Sequence, residues 1–232
     1  TIDIPEDLDE YLADRMQRAE IPGLAVGILV DGELVYNGSF GYANLETGKK
    51  VDAETMFMVA SVSKTVTSAA MMLLASRGAL DLDDSINDHL PFSVVHPRHP
   101  DTVITIRMLL AHVSGIEDNW DVYGSFYTID QGGGDSPVSL EDFLRGYLIP
   151  DGEYYDGERN FSRKEPGSRH SYSNVGYALA GYIVESVAGA DFAQFCTDEL
   201  FQPLGMAGTS WLLGDLDRSN IAMPYEITSE GP

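Results

Sequence analysis

The 232 residues predict a mixed α/β (α+β) chain with an antiparallel sheet. Three observations carry that prediction. Residues 24–30 and 33–40 are apolar, strand-favouring runs separated by Asp31-Gly32, a pair that suits a two-residue type I′ turn, so they read as a hairpin. Apolar residues recur at helical spacing before the hairpin and in several stretches after it. With 44% of the residues hydrophobic, the chain can bury a sizeable core in one large domain or two closely packed ones.

The elements follow in order. Residues 5–20 form an amphipathic helix, with Pro5 in the first turn, Leu8, Tyr11, Leu12, Met16 and Ala19 at helical spacing, and Pro22-Gly23 as the stop. The hairpin comes next. Two strands do not make a stable sheet alone, and few other strand candidates occur before residue 232. After the polar loop that follows Asn44, a helix starts near Ser61 and runs through Ala69-Ala70-Met71-Met72-Leu73-Leu74 to a C-terminal glycine, Gly78.

The acidic stretch 81–89 does not fit a calcium loop. Ile86 stands where such a loop needs glycine and Phe92 where it needs a bidentate glutamate, so a solvated helix start is expected instead. His96 and His99, separated by Pro97-Arg98, do not share a helix face, and no metal site is expected there. Residues 104–114 predict a helix ending at Gly115. His112 near that end suits either a catalytic base or a capping or core group.

Residues 117–168 read as an elaborated surface loop around Gly132-Gly133-Gly134, with one helix at about 139–148. Gly134-Asp135-Ser136 lacks a preceding strand and is expected to be a turn. A last long helix begins near Asn174, turns Ala178, Tyr182, Ile183 and Val187 toward the core and ends at Gly189. Cys196 falls on an apolar face, where it packs.

Charge and composition exclude several functions. Against 37 acidic residues stand only 14 basic ones, a formal charge of −23, which repels phosphate backbones and anionic surfaces, so nucleic acid is not an expected partner. The same balance would suit a high-salt habitat. A single cysteine rules out an intrachain disulfide and a thiolate metal cluster. No apolar run reaches the length of a membrane span. The first residue is Thr1 rather than Met, as expected of a chain whose leader has been removed or that begins internally.

Ser61-Val62-Ser63-Lys64 is the stretch with chemistry in it. Positions 61 and 64 lie one helical turn apart, close enough for an amine to reach a hydroxyl. A serine is a poor nucleophile until a neighbour takes its proton, and a helix start offers N–H groups and a positive dipole end to the oxyanion of acyl transfer. Of the four lysines, Lys49, Lys50, Lys64 and Lys164, this is the one so paired with a serine. Taken alone, the spacing fits an N-cap serine and a surface lysine equally well. Tyr172 and Asn174, two apart at the mouth of the last helix, could both face one cavity, or be an Asn N-cap beside a packed Tyr.

Taken together, Ser61-Val62-Ser63-Lys64, Tyr172-Ser173-Asn174, Leu109-Leu110-Ala111-His112-Val113-Ser114-Gly115, Pro166-Gly167 and Pro203-Leu204-Gly205-Met206 resemble the serine beta-lactamase and penicillin-binding-protein family. Their order and spacing match the branch of class C beta-lactamases, D,D-peptidases and esterases. The resemblance implies a sheet flanked by helices with an inserted all-helical subdomain: residues 1–60 as the start of the sheet domain, 61–215 as the mostly helical subdomain, and 216–232 as the start of the return to the sheet.

It also implies that Ser61 forms an acyl-enzyme while Lys64 and Tyr172 move protons. Asn174 would bind the lysine or the substrate amide, and the Ser61 backbone N–H would be one oxyanion donor. No metal or organic cofactor is required. The expected substrate is a small molecule or peptide with an amide or ester: a beta-lactam, a D-amino-acid peptide or a small ester. An acyltransferase or transpeptidase and a non-catalytic penicillin-binding sensor are the alternatives, and a glycosidase using paired acids would be indifferent to Ser61. A periplasmic or secreted location is expected over a cytoplasmic one.

Two departures stand out. Val113 occupies a position where threonine is usual, and the third motif of the family, a Lys-Thr-Gly or His-x-Gly strand, does not occur in these residues. Together with the shortage of strands, this predicts that residues 1–232 are the N-terminal part of a longer protein. A C-terminal fragment would then complete the sheet; without it half an oxyanion hole is missing and a sheet edge stays open.

Overall fold

The computed structural model describes residue 5, residues 7–126 and residues 134–227. The expected glycine pair Gly132-Gly133 lies outside the described residues. The chain divides into two compact units, one holding the described residues up to Val59 and from Asp215 onward, the other spanning Ala60–Gly214.

The first unit opens with helix α1, Leu8–Arg18. It is shorter than the expected 5–20. Pro5 sits ahead of the first turn, where its carbonyl accepts the Leu8 N–H at 3.2 Å, and Glu20 leaves the helix at φ 53° while the Ile21 N–H reaches back to Met16. Strands β1 (Gly23–Val30) and β2 (Glu33–Asn44) form the hairpin, and a two-residue β3 (Lys49–Lys50) extends the antiparallel sheet in the order β1-β2-β3. Asp31 and Gly32 both take positive φ, 51° and 84°, as a type I′ turn requires. The segment that returns after Asp215 pairs Ile221 with Met56, and its Met223 N–H donates to the Ala43 carbonyl at 2.7 Å. Ala43, Val51 and Ala222 form the small core there.

The second unit is helical: α2 (Ser63–Ser76), α3 (Ile106–Leu110), α4 (Trp120–Tyr123), α5 (Leu140–Leu148), α6 (Asn174–Ala188) and α7 (Phe192–Cys196). Its core gathers around α6, where Leu179 and Ile183 are fully buried with Met71 of α2, Leu109 of α3 and Leu144 of α5. Cys196 is fully buried and its thiol is pushed up to about 11 by that burial. Among the described residues no helix is long and apolar enough to cross a membrane.

Two local expectations are corrected. The helix expected to end at Gly115 ends at Leu110, because His112 itself takes the left-handed position, φ 57°. Its N–H donates to Leu109 and that of Val113 to Met108, so the last carbonyls are satisfied one turn earlier. The acidic stretch is a short 3-10 turn rather than a solvated helix start. Ser85 caps Ile86–Asp88, and Ile86 is completely buried, an apolar anchor that pins the turn to the core.

Candidate active site

The residues Ala60–Val62 form one 3-10 turn that leads into α2. Ala60 is held at φ 44°, a left-handed conformation costly for a residue with a Cβ, and it places Ser61 just ahead of the first turn of a 14-residue helix. Ser61 therefore neither caps nor belongs to α2; Val62 is at the N-cap position. Lys64, in the first turn, brings its Nζ to 3.2 Å from Ser61 Oγ.

Tyr172 and Asn174 arrive from the start of α6, 111 and 110 residues away from their partners. Ser173, not Asn174, is the N-cap: its Oγ accepts the Gly176 N–H at 2.9 Å. That leaves the Asn174 side chain free of capping, and its Oδ1 accepts from Lys64 Nζ at 2.6 Å. Tyr172 Oη lies 2.6 Å from Ser61 Oγ. The structure thus brings all four predicted residues into one hydrogen-bonded group.

The electrostatics favour an ionised phenol more than in a free tyrosine. The Lys64 amine, and after it the Ser61 hydroxyl, hold Tyr172 below its ordinary value of 10.0, against a smaller opposing effect of burial. Lys64 Nζ also lies 4.7 Å from the centre of the Tyr172 ring and 5.8 Å from that of Tyr177, within reach of cation–π attraction.

His112 does not reach Ser61 as a base in this arrangement. Its ring lies against Tyr172, centroids 4.4 Å apart, and its Nδ1 accepts the Ser173 N–H at 3.1 Å. Burial, with the nearby His170 and Lys64, holds the imidazole below its ordinary value. A proton on Nδ1 would cost the bond from Ser173. The turn before α6 is further tied by Ser171, whose N–H donates to the His112 carbonyl at 2.7 Å and whose Oγ donates to Glu117 at 2.7 Å.

Asp118 belongs to the site and was not anticipated. Its carboxylate accepts from Asn174 Nδ2 at 2.7 Å and from the Asn174 N–H at 2.9 Å. It takes two more bonds, from the Val175 N–H at 3.0 Å and Ser173 Oγ at 3.1 Å. No sequence spacing links position 118 to 174 across the loop. The one available signal was an acid a few residues beyond the Ser114-Gly115 turn. The His96 and His99 rings lie tilted against each other with centroids 5.0 Å apart, and among the described residues no cluster of three or more His, Cys, Asp or Glu could hold a metal ion.

As chemistry, a hydroxyl lies between a phenol and an amine at the end of a helix. That arrangement can deliver a serine oxygen to a carbonyl and shuttle the displaced proton.

Comparison with known proteins places the site in context. A family model described as Beta-lactamase matches residues 8–231. The protein flp of Staphylococcus aureus (strain MW2) is 26% identical over 232 residues, all of this chain and 43% of that protein. The octameric penicillin-binding protein homologue from Pyrococcus abyssi superposes with a TM-score of 0.80 at 27% identity, covering 97% of this chain and 49% of that one. EstCE1, described as a hydrolase with promiscuous acyltransferase activity, superposes with a TM-score of 0.77 at 27% identity, over 96% of this chain and 57% of its own. The chain spans about half the length of these proteins.

Proposed function

Because this chain belongs to the Beta-lactamase family, a family of beta-lactamase-fold hydrolases, we propose that it is a serine acyl hydrolase that opens an amide or ester through an acyl-enzyme on Ser61. The observation that carries the reading is the 2.6 Å contact between Ser61 Oγ and Tyr172 Oη, with Lys64 Nζ 3.2 Å from the same Oγ. In this reading the Tyr172 oxygen takes the Ser61 proton as Oγ attacks the carbonyl, and the Lys64 amine steadies the phenolate. The oxyanion that forms lies near the start of α2, with the Ser61 N–H as one donor. Tyr172 then gives its proton to the leaving group, and water, activated by the same pair, releases the acid.

The second oxyanion donor and a third cleft-lining motif are proposed to come from a C-terminal segment of the same protein that adds strands to β1-β2-β3. The proposed substrates are beta-lactams, D-amino-acid peptides and small esters. Transfer of the acyl group to an amine is the rival outcome. It gains support from EstCE1, whose description names both hydrolysis and acyltransferase activity.

The test is covalent labelling. Mass spectrometry of the protein after a fluorophosphonate or a penicillin should show one adduct on the peptide holding Ser61 and none in Ser61→Ala. An adduct unaffected by that substitution contradicts the reading.

A further inference from the structure

We propose that Asp118 is a positioning residue: its carboxylate locks the Asn174 amide with the oxygen toward Lys64, and so fixes the amine beside Ser61. This rests on the acyl-hydrolase reading above for its catalytic consequence, though not for its geometry.

The lock follows from donor and acceptor inventory. Asn174 sits between Asp118 and Lys64, at 2.7 Å from one and 2.6 Å from the other. An ionised carboxylate only accepts and an ammonium only donates. With Nδ2 toward Asp118 and Oδ1 toward Lys64, both contacts are hydrogen bonds; the flipped amide sets oxygen against oxygen and N–H against N–H. Water in place of Asp118 would accept from Nδ2 or donate to Oδ1 alike, leaving Lys64 alone to orient the amide. Asp118 therefore holds from the far side the direction that Lys64 sets from the near side.

The clamp is also stiff. The same carboxylate holds the backbone N–H groups of Asn174 and Val175 and the Ser173 hydroxyl, so the four bonds fix the start of α6 together with the amide. The links from Asp118 through Asn174 and Lys64 to Ser61 are three consecutive hydrogen bonds. Asp118 makes no hydrogen bond to Ser61 or Lys64 among the described residues, so it reaches them through Asn174; its charge also acts directly on Tyr172, as the smallest of the causes at work there, to raise the phenol.

The experiment is a double-mutant cycle on the rate of Ser61 labelling, paired with a spectrum of the resting protein. If Asp118 works through Asn174, Asp118→Asn slows labelling by about a hundredfold, the scale on which a small misplacement acts. In an Asn174→Ala background the same change costs less than about threefold, because the coupled partner is gone. Equal losses in both backgrounds would mean that Asp118 only supports the helix start, and would overturn the proposal.

In the second arm the Asn174 side-chain amide is identified by its disappearance in Asn174→Ala. One of its two protons should exchange slowly with solvent in the unmutated protein, a result that needs neither activity nor a folded Asp118 variant. Two fast-exchanging protons would overturn the proposal. If the unmutated protein shows no Ser61 adduct while the slow proton is present, the hydrolase reading falls and the positioning of Asn174 stands.

Discussion

Tyr172 is the side chain on which the chemistry turns, since it is the closest group to Ser61 Oγ and is held below its ordinary value chiefly by Lys64. As a base it must be unprotonated, so the rate of Ser61 acylation should fall as the pH drops. Tyr172→Phe should lower that rate by about 10²- to 10⁴-fold and abolish the acid limb; timed labelling across pH measures both, and a retained limb would assign it elsewhere. His96 makes a second residue-scale prediction. Buried to 1% exposure against Phe161, it is pushed down to about 4, first by burial and then by His99 and Arg98. The unfolded chain takes up that proton near pH 6.5 and the folded chain only near 4, so the stability is present above pH 6.5 and is lost as the pH falls between them. Urea denaturation should show a loss of at most ~3 kcal/mol over that window, reduced in His96→Gln. Ser61, Lys64, Tyr172 and Asn174 could be read from sequence because each pair is local, one turn or two residues apart, and because the joint order of the motifs resembles the family; neither pair stood out alone. Asp118 could not, because its partners lie 55 to 57 residues away and only the folded loop brings them together.

At the scale of elements, α2 and α6 carry the site between them, and both end as their sequences imply. Gly78 closes α2 at φ 72°, where its N–H donates to Ala75 and that of Ala79 to Leu74. A Cβ there would meet nothing within 4 Å. Gly78→Ala should therefore cost only the left-handed strain, about 1 kcal/mol in a denaturation midpoint, and leave the labelling of Ser61 unchanged. Ile183→Ala, in the fully buried face of α6, should cost about 2–5 kcal/mol by the same measurement. These elements were legible because caps and apolar spacing are local signals: the hairpin, the Ser139-capped α5 and the glycine at the end of α6 were all expected. The end of α3 was not, since a histidine in the left-handed position carries no mark in sequence. Nor was β3, whose two lysines pair with β2 only through backbone atoms near Tyr42 and Asn44.

The whole molecule is dominated by its charge of −23. Repulsion among surface carboxylates weakens as salt shortens the screening length, from ~10 Å at 0.1 M to ~3 Å at 1 M. Thermal unfolding should therefore move to higher temperature between low and molar salt, and a midpoint that stays put would remove the idea of salt adaptation. The fold class was legible at this scale through the joint order of the motifs. Everything proposed for the activity passes through one oxygen atom. Intact-mass spectrometry before and after a fluorophosphonate or a penicillin, with Ser61→Ala alongside, tests it directly. The account predicts a single adduct that the substitution abolishes. An unmodified chain, or an adduct that survives the loss of Ser61, would contradict it.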